Sequence, residues 1–425
     1  MANSTEQAAI LITNLDEAKD AYRQKALRQG LYDAGEVVMS GVLVNLHGDE
    51  HRSRRRLENR LFRKETLEFY ENELFPDVIS ETLDPHVEVG RAELVTLSHQ
   101  LMMNLAALNA GVDRPLRTPQ ETLRLYQQMM KLIEGATLVH SRRDPAEVSA
   151  EVRDALGDFD SEFVTPSIQR RTELIQRHVA GEVDESSVPR DVLSVLLRNE
   201  DDLKIPRDVL VREIGFFLLA GAHTSATAFT RSTHNILEWL AAHPEDRAKL
   251  DDRRWVQSCV HETVRLYPSS PTGVRWALED VVLRSGRHIP AGSKVVIDLV
   301  AVNTDPAIFG DDAGEFNPYR QVPAEGVGPY GLSFGHGMHA CIGQELAAGI
   351  IPADQAGTQL FGVVTAAVMA LLERGARADP DEAPSVDSST QRPYWSRYPV
   401  VFTGRSRPHR PTVLPPSTTS VVPVM

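Results

Sequence analysis

Phe334-Gly335-His336-Gly337-Met338-His339-Ala340-Cys341-Ile342-Gly343 is the stretch on which the reading of this chain turns, and Cys341 is its chemical centre. Glycines at 335, 337 and 343 make a tight backbone that bulky residues could not follow. The run Gln344-Glu345-Leu346-Ala347-Ala348 is a good helix former. The cysteine is therefore expected where a glycine-rich loop enters a helix. At such a place the helix dipole and free N–H groups favour a thiolate over a thiol. Backbone N–H groups can also hydrogen-bond a sulfur ligand and tune it. A lone cysteine is ordinarily a buried structural one.

Working outward, Ala220-Gly221-Ala222-His223-Thr224-Ser225 falls inside a helix expected over 206–243, with Pro206 near its start and Pro244 just past its end. Ile214–Gly221 is apolar all round, which predicts burial. The Thr224 hydroxyl can reach the Ala220 carbonyl four residues back and bend the helix locally; such distortions gather at functional sites. Glu262 and Arg265 stand at i, i+3 and can pair on one helix face. Glu121-Thr-Leu-Arg124-Leu-Tyr126 is nearly identical, and is expected to be an exposed helix pair. Pro271–Trp276, Val281–Leu283 and Lys294–Leu299 read as strands, with a turn at Ile289–Gly292. In 49–64, Asp49 and Glu50 open a helix whose His51 and Arg55, four apart, share a face. Arg52, Arg54, Arg56, Arg60 and Lys64 are expected at the surface, a basic patch suited to an acidic electron carrier.

These segments, in this order, resemble the cytochrome P450 family. The family's cysteine loop is met at Phe334, Gly335, Gly337, His339, Cys341 and Gly343. Its oxygen-binding pattern is met at Ala220, Gly221 and Thr224, with His223 where an acid is usual; its Glu-x-x-Arg is Glu262 and Arg265. The resemblance implies a mainly α fold with small β-sheets and a haem b cofactor. It makes Cys341 the axial thiolate, which pushes electron density onto the iron and favours O–O cleavage. It implies that Phe334 and Gly335 shape the cofactor loop, and that His339, Arg275, His51 and Arg55 hold anionic propionates through charge-assisted bonds. Small Ala220 and Gly221 leave room for a diatomic gas, and Thr224 hydrogen-bonds dioxygen. His223 either passes protons, its pKa lying near neutrality, or merely fills a polar spot. Arg320 joins Glu262 and Arg265 in a buried triad that fixes the scaffold, and Thr272, Gly273 and Val274 flank the substrate.

Bulk properties bound the rest. The 425 residues show no linker in the middle, so one large domain is expected. A net charge of −14 argues against general nucleic-acid binding. The two cysteines, Cys259 and Cys341, exclude a disulfide framework and suit a reducing cytoplasm. The first residues lack the basic and apolar regions of a secretory signal. The apolar runs Ile214–Ala222 and Leu360–Leu372 are too short to span a bilayer.

Three regions are anticipated: 1–47, a short N-terminal helix and lid segment; 48–403, the haem domain; 404–425, a disordered Pro/Ser/Thr-rich tail. Within the first, a helix is expected near Leu15–Gln29, and Val37–Leu46 is a strand or a lid loop. The family carries more residues there, so its β-rich subdomain is expected to be incomplete. Leu94–Ala110, Leu123–Val139 and Val148–Ala180 read as helices, the last broken at Pro166; Met102, Met103, Met129 and Met130 read as core. After Cys341, Gly349, Pro352 and Gly357 interrupt the helix with an insertion near 350–359, Leu360–Arg374 resumes it, and Tyr394–Phe402 resembles a final strand pair.

The resemblance implies a monooxygenase that places one atom of dioxygen in an apolar organic substrate, free or carrier-bound, in bacterial secondary metabolism or catabolism. A ferredoxin or flavodoxin with its reductase would supply electrons to a monomeric, cytoplasmic, unanchored enzyme. Two other readings stay open: a peroxide-driven or oxidative-coupling member, and a haem or ligand-binding protein without turnover.

Overall fold

The apolar middle of 206–243 forms the longest element, the central helix Arg207–Ala242, 36 residues long. Pro206 caps it in extended backbone, and His243 ends it before Pro244. It packs against the helices Leu94–Ala110, Arg253–Leu266 and Gly362–Glu373. Gly221 brings the first of these close: a Cβ at 221 would lie 3.1 Å from the Ala106 Cβ. By length and composition this helix could cross a membrane, unlike the apolar run within it; here it is core, with 61% of its most apolar window buried. The computed structural model describes residues 9–116, 118–321, 326–352 and 359–403. The helices Phe75–Val89 and Pro119–Ala136 add to the main core.

Pro166 does not break its helix as expected. Pro145–Phe159 runs through a π-turn, Asp160–Val164, into Thr165–Val179, so the chain stays helical and the proline falls in the first turn of the last segment. The wider π-turn accommodates the missing N–H.

A four-stranded sheet packs beside the helices in the order Ile10–Ile12, Lys294–Asp298, Thr272–Ala277, Leu27–Gln29. The first pair is parallel and the others antiparallel, with Arg275 opposite both Val295 and Gln29. Both edge strands come from the N-terminal segment, so the sheet is fuller there than expected. The anticipated helix over 15–29 stops at Arg23; Leu27 and Gln29 are buried on one face while Arg28 points away, a strand's alternation. Val37–Leu46 is neither strand nor open lid. It folds as a helical turn, Glu36–Met39, and a 3₁₀ turn, Leu43–Asn45, burying Val38, Met39, Val42 and Leu43 in the main core.

Past the cysteine loop, the helix Gln344–Ala348 stops at Gly349, whose φ is 82°. Ile350 and Leu360 pair as an isolated bridge, and Gly362–Glu373 resumes the helix. Most of the insertion, 353–358, and the tail, 404–425, lie outside the described residues. Trp395–Arg397 and Pro399–Phe402 are strands, but of different sheets: the first pairs with Ser385–Val386, the second lies between Arg91–Glu93 and Ala376–Ala378.

Candidate active site

The cysteine loop is shaped by its glycines. Gly335 and Gly337 have φ of 67° and 70°, the left-handed region that side chains rarely adopt, and a Cβ at 337 would meet the Tyr22 carbonyl oxygen at 2.4 Å. The Cys341 N–H donates to the Phe334 carbonyl at 2.8 Å and closes the loop. The thiol opens into an internal cavity. The Gly343 N–H donates toward the sulfur and Arg55 lowers its pKa, but burial is the larger influence and pushes the thiol up. Although the residue has accessible surface, that surface faces the cavity rather than bulk water. Burial thus opposes the bias toward thiolate that the Gly343 N–H and Arg55 supply, and the helix that follows is only five residues long.

The cavity holds about 1910 Å³ of atom-free space, its mouth included, between the loop and the central helix. Cys341, Phe334 and Gly335 line it from the loop, and Ala220, Gly221 and Thr224 from the helix. His51, Arg55, Arg275 and His339 also line it. The rings of His51 and His339 lie 4.2 Å apart. Both His51 nitrogens and the His339 Nε2 are buried without a hydrogen-bond partner. Burial first, then surrounding positive charge, pulls His51 down to about 4 and His339 to about 3, so both are neutral at pH 7. Arg275 is buried over the Tyr22 ring, 4.8 Å from its centroid, and donates to the Gln29 side chain. Arg55 donates from Nη2 to the Ala340 carbonyl at 2.7 Å, so it grips the cysteine loop itself. Orphaned donors beside two arginines fit an anionic group at this edge, and a cysteine facing the cavity fits an iron ligand; the residues fit a haem.

On the helix wall, the Thr224 hydroxyl donates to the Ala220 carbonyl at 2.7 Å, the bond the spacing predicts. His223 does not line the cavity. Its Nδ1 lies 3.3 Å from His99 Nε2, and His99 Nδ1 lies 2.9 Å from the Val95 carbonyl. A carbonyl only accepts, so His99 Nδ1 carries the hydrogen and its Nε2 accepts from His223 Nδ1. Burial, then the His99 and Arg392 charges, holds the His223 pKa well below its ordinary value.

Glu262 and Arg265 form a two-point pair, both bonds 2.7 Å. Arg320 Nε donates to the same carboxylate at 2.8 Å. Arg265 also donates to the carbonyls of Asn303 (2.6 Å) and Ala313 (2.8 Å). Asn303 bonds Leu332 N–H and Ser333 Oγ, each at 2.8 Å, and so carries the triad to the base of the cysteine loop. The first Glu-x-x-Arg copy is not the exposed pair expected. Arg124 reaches Glu162 at 2.8 Å, while Glu121 is buried and accepts the Leu116 N–H at 3.3 Å.

Other placements differ from the sequence reading. Arg54 is buried and ion-paired to Glu213, with Glu58 3.7 Å away; Arg52, Arg56, Arg60 and Lys64 are exposed. Met102 lines the cavity rather than serving as core alone, and Thr272 and Gly273 line it while Val274 does not. Sequence reasoning missed Tyr22, Gln29 and Tyr32 as lining residues, and His99 as the partner of His223. Gln29 could have been found from the strand register that sets it opposite Arg275; the others carry no local signal.

The sequence matches the family model for cytochrome P450 over residues 6–350. Cytochrome P450 734A1 of Arabidopsis thaliana is 32% identical over 209 residues, which cover 42% of this chain and 37% of the relative. Monooxygenase 205 of Postia placenta is 25% identical over 395 residues, covering 76% and 70%. The chain thus spans about a third of the length of the first of these relatives. Among solved structures, the haem domain of a Tepidiphilus thermophilus P450 superposes with a TM-score of 0.70 at 18% identity, covering 92% of this chain and 88% of that one. P450BioI, solved with an acyl-carrier protein bearing hexadecenoic acid, gives 0.68 at 19%, covering 92% of each. With most of its length matched by the family model and its fold matched across nine-tenths of these structures, the chain belongs to the cytochrome P450 family.

Proposed function

We propose that this chain is a haem-thiolate monooxygenase acting on an apolar organic substrate. The observation that carries the reading is the placement of Cys341 and Thr224 in the walls of one apolar cavity whose edge bears unpartnered histidine donors. A bound haem b would supply oxygen activation, with one oxygen atom entering the substrate and the other leaving as water. Cys341 would ligate as a thiolate, with Gly343 N–H tempering the charge on its sulfur. His51, His339, Arg275 and Arg55 would hold the propionates. Thr224 Oγ1 already spends its hydrogen on Ala220, so its lone pairs are free to accept a hydrogen bond from the cavity. Turning that hydroxyl to donate costs about 1 kcal/mol of hydrogen bond, little against the barriers of oxygen chemistry. Phe216, Phe217 and Leu105 keep water from the helix wall. The exposed Arg52, Arg56, Arg60 and Lys64 suit an acidic ferredoxin or flavodoxin, outside the cavity and close in sequence to His51. Unpaired Cys259 and Cys341 are consistent with a cytoplasmic setting.

The test is the absorption spectrum of the reduced protein under carbon monoxide. A strongly red-shifted Soret band is expected. No haem, or the spectrum of histidine-ligated haem in fresh protein, would sink the reading.

Proton delivery is assigned to His223, the residue before Thr224 in the central helix. His223→Ala should slow oxygen activation by about 100-fold, the low end for a general acid–base group, and raise peroxide leakage. An unchanged ratio of product to electrons consumed would refute the relay. The position of His223 outside the cavity wall favours one second reading, a peroxide-driven member. Turnover with peroxide matching or exceeding turnover with ferredoxin partners would select it.

A further inference from the structure

A charged cluster lies behind the wall of the cavity, and nothing in the proposed chemistry uses it. Glu58 of the helix Gly48–Glu58 and Glu213 of the central helix are both 0% exposed, and Arg54 is buried with them. Arg54 is ion-paired to Glu213, and its Nε stands 3.7 Å from Glu58 Oε1. The Leu43 N–H donates to both Glu213 oxygens, at 3.0 and 3.3 Å, and Arg54 Nη1 donates to the Gly41 carbonyl at 2.9 Å. The two helices thus hold the segment 40–45 through these side chains. Leu43 and Val44 of that segment line the cavity.

The charges do not balance. Among the described residues Arg54 is the one cation within ion-pair distance of either carboxylate. Arg55 acts on Glu58 from further off and is committed to the Ala340 carbonyl. The helix Val192–Arg198 packs against the same helix, but its Arg198 pairs with Glu185, and Asp191 at its cap pairs with Arg171. On the central helix Arg212 pairs with Asp208 and donates to the Ser40 carbonyl. His47 acts on His51, and Glu36 and Arg60, on the turns alongside, are exposed. Neither Glu58 oxygen has a hydrogen-bond donor. Two ionised carboxylates sharing one cation in a dry site are costly, and one takes up a proton instead. Burial, then the Glu213 charge, pushes Glu58 well above the ordinary carboxylate range. Burial raises Glu213 too, but Arg54, then the Leu43 N–H and Glu58, pull it back. Glu58 is therefore the acid that keeps its proton, with Glu213 beside it to accept the hydrogen bond.

We propose that Glu58 and Glu213 hold one proton between them and that this proton latches the cavity wall. While it is held, the segment 40–45 stays tied to both helices. Its loss at alkaline pH lets the segment go and opens a way into the cavity, because a second negative charge has to draw in water. The segment is the element that yields: it is a single 3₁₀ turn, Leu43–Asn45, and its approach, with Ser40 exposed and Gly41, Val44 and Asn45 half-buried. The latch belongs to the wall and goes beyond the oxidation chemistry.

The test uses the haem-loaded protein, wild type beside Glu58→Gln, from about pH 6 to about pH 10, a span that covers a raised carboxyl. Glutamine keeps a donor for Glu213 and has no proton to lose. An acid protonated in the fold but ionised when unfolded, above its ordinary 4.5, makes stability fall as pH rises. The unfolding constant of wild type relative to the variant should climb about tenfold per pH unit until the folded Glu58 ionises, then level off. Over the same range two local readouts should rise in wild type with the ionised fraction, again about tenfold per pH unit, and stay flat in Glu58→Gln. One is deuterium exchange of the amides of 40–45, corrected for the pH dependence of exchange itself; the other is the rate at which carbon monoxide reaches the iron. No difference in unfolding slope between the two proteins means that no proton is retained. A slope without a difference in exchange and carbon monoxide entry means that the proton latches nothing. Either result overturns the proposal. Should Glu58→Gln fail to fold, Glu213→Gln takes its place, since it too leaves one acid to one arginine, and flat exchange at 40–45 in wild type overturns the latch by itself. A protein without the red-shifted carbon monoxide band refutes the monooxygenase reading, and exchange at 40–45 still decides the latch.

Discussion

Arg265→Ala should destabilise the protein by about 3–5 kcal/mol, the cost of breaking a buried ion pair by removing one partner. Arg265 is 0% exposed and satisfies four acceptor oxygens: both of Glu262 and the carbonyls of Asn303 and Ala313. Alanine leaves all of them in a dry interior, with Glu262 keeping Arg320 and the Asn317 N–H. Since domains are stable by only about 5–15 kcal/mol, much of the margin would go. Arg265→Lys keeps a charge but cannot reach four acceptors from one ammonium, and should fall between. Arg124→Ala, which loses only a half-exposed pair with Glu162, should cost at most about 1 kcal/mol. The check is the urea midpoint of each purified variant. A loss under 1 kcal/mol for Arg265→Ala would mean that the triad does not hold the scaffold.

Cys341→Ser should behave in the opposite way: fold kept, chemistry lost. The bond that closes the loop runs from the Cys341 backbone N–H to Phe334, and the side chain faces the cavity, so a smaller, more polar atom opens no packed core. Unfolding midpoints of the metal-free proteins should agree within about 1 kcal/mol, as for most changes outside a packed core. Turnover with a ferredoxin pair should drop by about 100-fold or more, since losing even a supporting contact of a ligand costs 10- to 100-fold. The red-shifted carbon monoxide band should vanish with it. A serine variant that keeps turnover would remove Cys341 from the chemistry.

The contrast between these variants follows what could be read from the chain. The loop around Cys341, the Thr224–Ala220 bond and the Glu262–Arg265 pair were legible because each depends on residues a few positions apart, where helix and turn geometry fixes the distance. Val37–Leu46 was not, because a segment surrounded by core is apolar at most positions whatever its backbone does. Pairs joined only by the fold were invisible: Arg275 meets Gln29 across 246 residues, and Tyr394 meets Ser269 across 125. The buried role of Arg54 was hidden for a related reason. Its helix reads as a run of charges, and its buried partners, Glu213 of the central helix and the Gly41 carbonyl, turn one of them inward.

Gly221 sets a boundary on how this pocket can diversify. Seen from the cavity, a glycine in the wall looks like a place to add bulk and trim the substrate. Seen from behind, its missing Cβ is the gap that lets the helix Leu94–Ala110 close on the central helix, with Ala106 3.1 Å from any methyl added there. A larger residue at 221 would push two core helices apart before it reshaped the cavity. Variation that alters selectivity while sparing the frame has to come from Met102, Phe216 and the loops around Tyr32 and Ser270. The wall facing Cys341 is the part of the pocket that drift and design alike must leave alone.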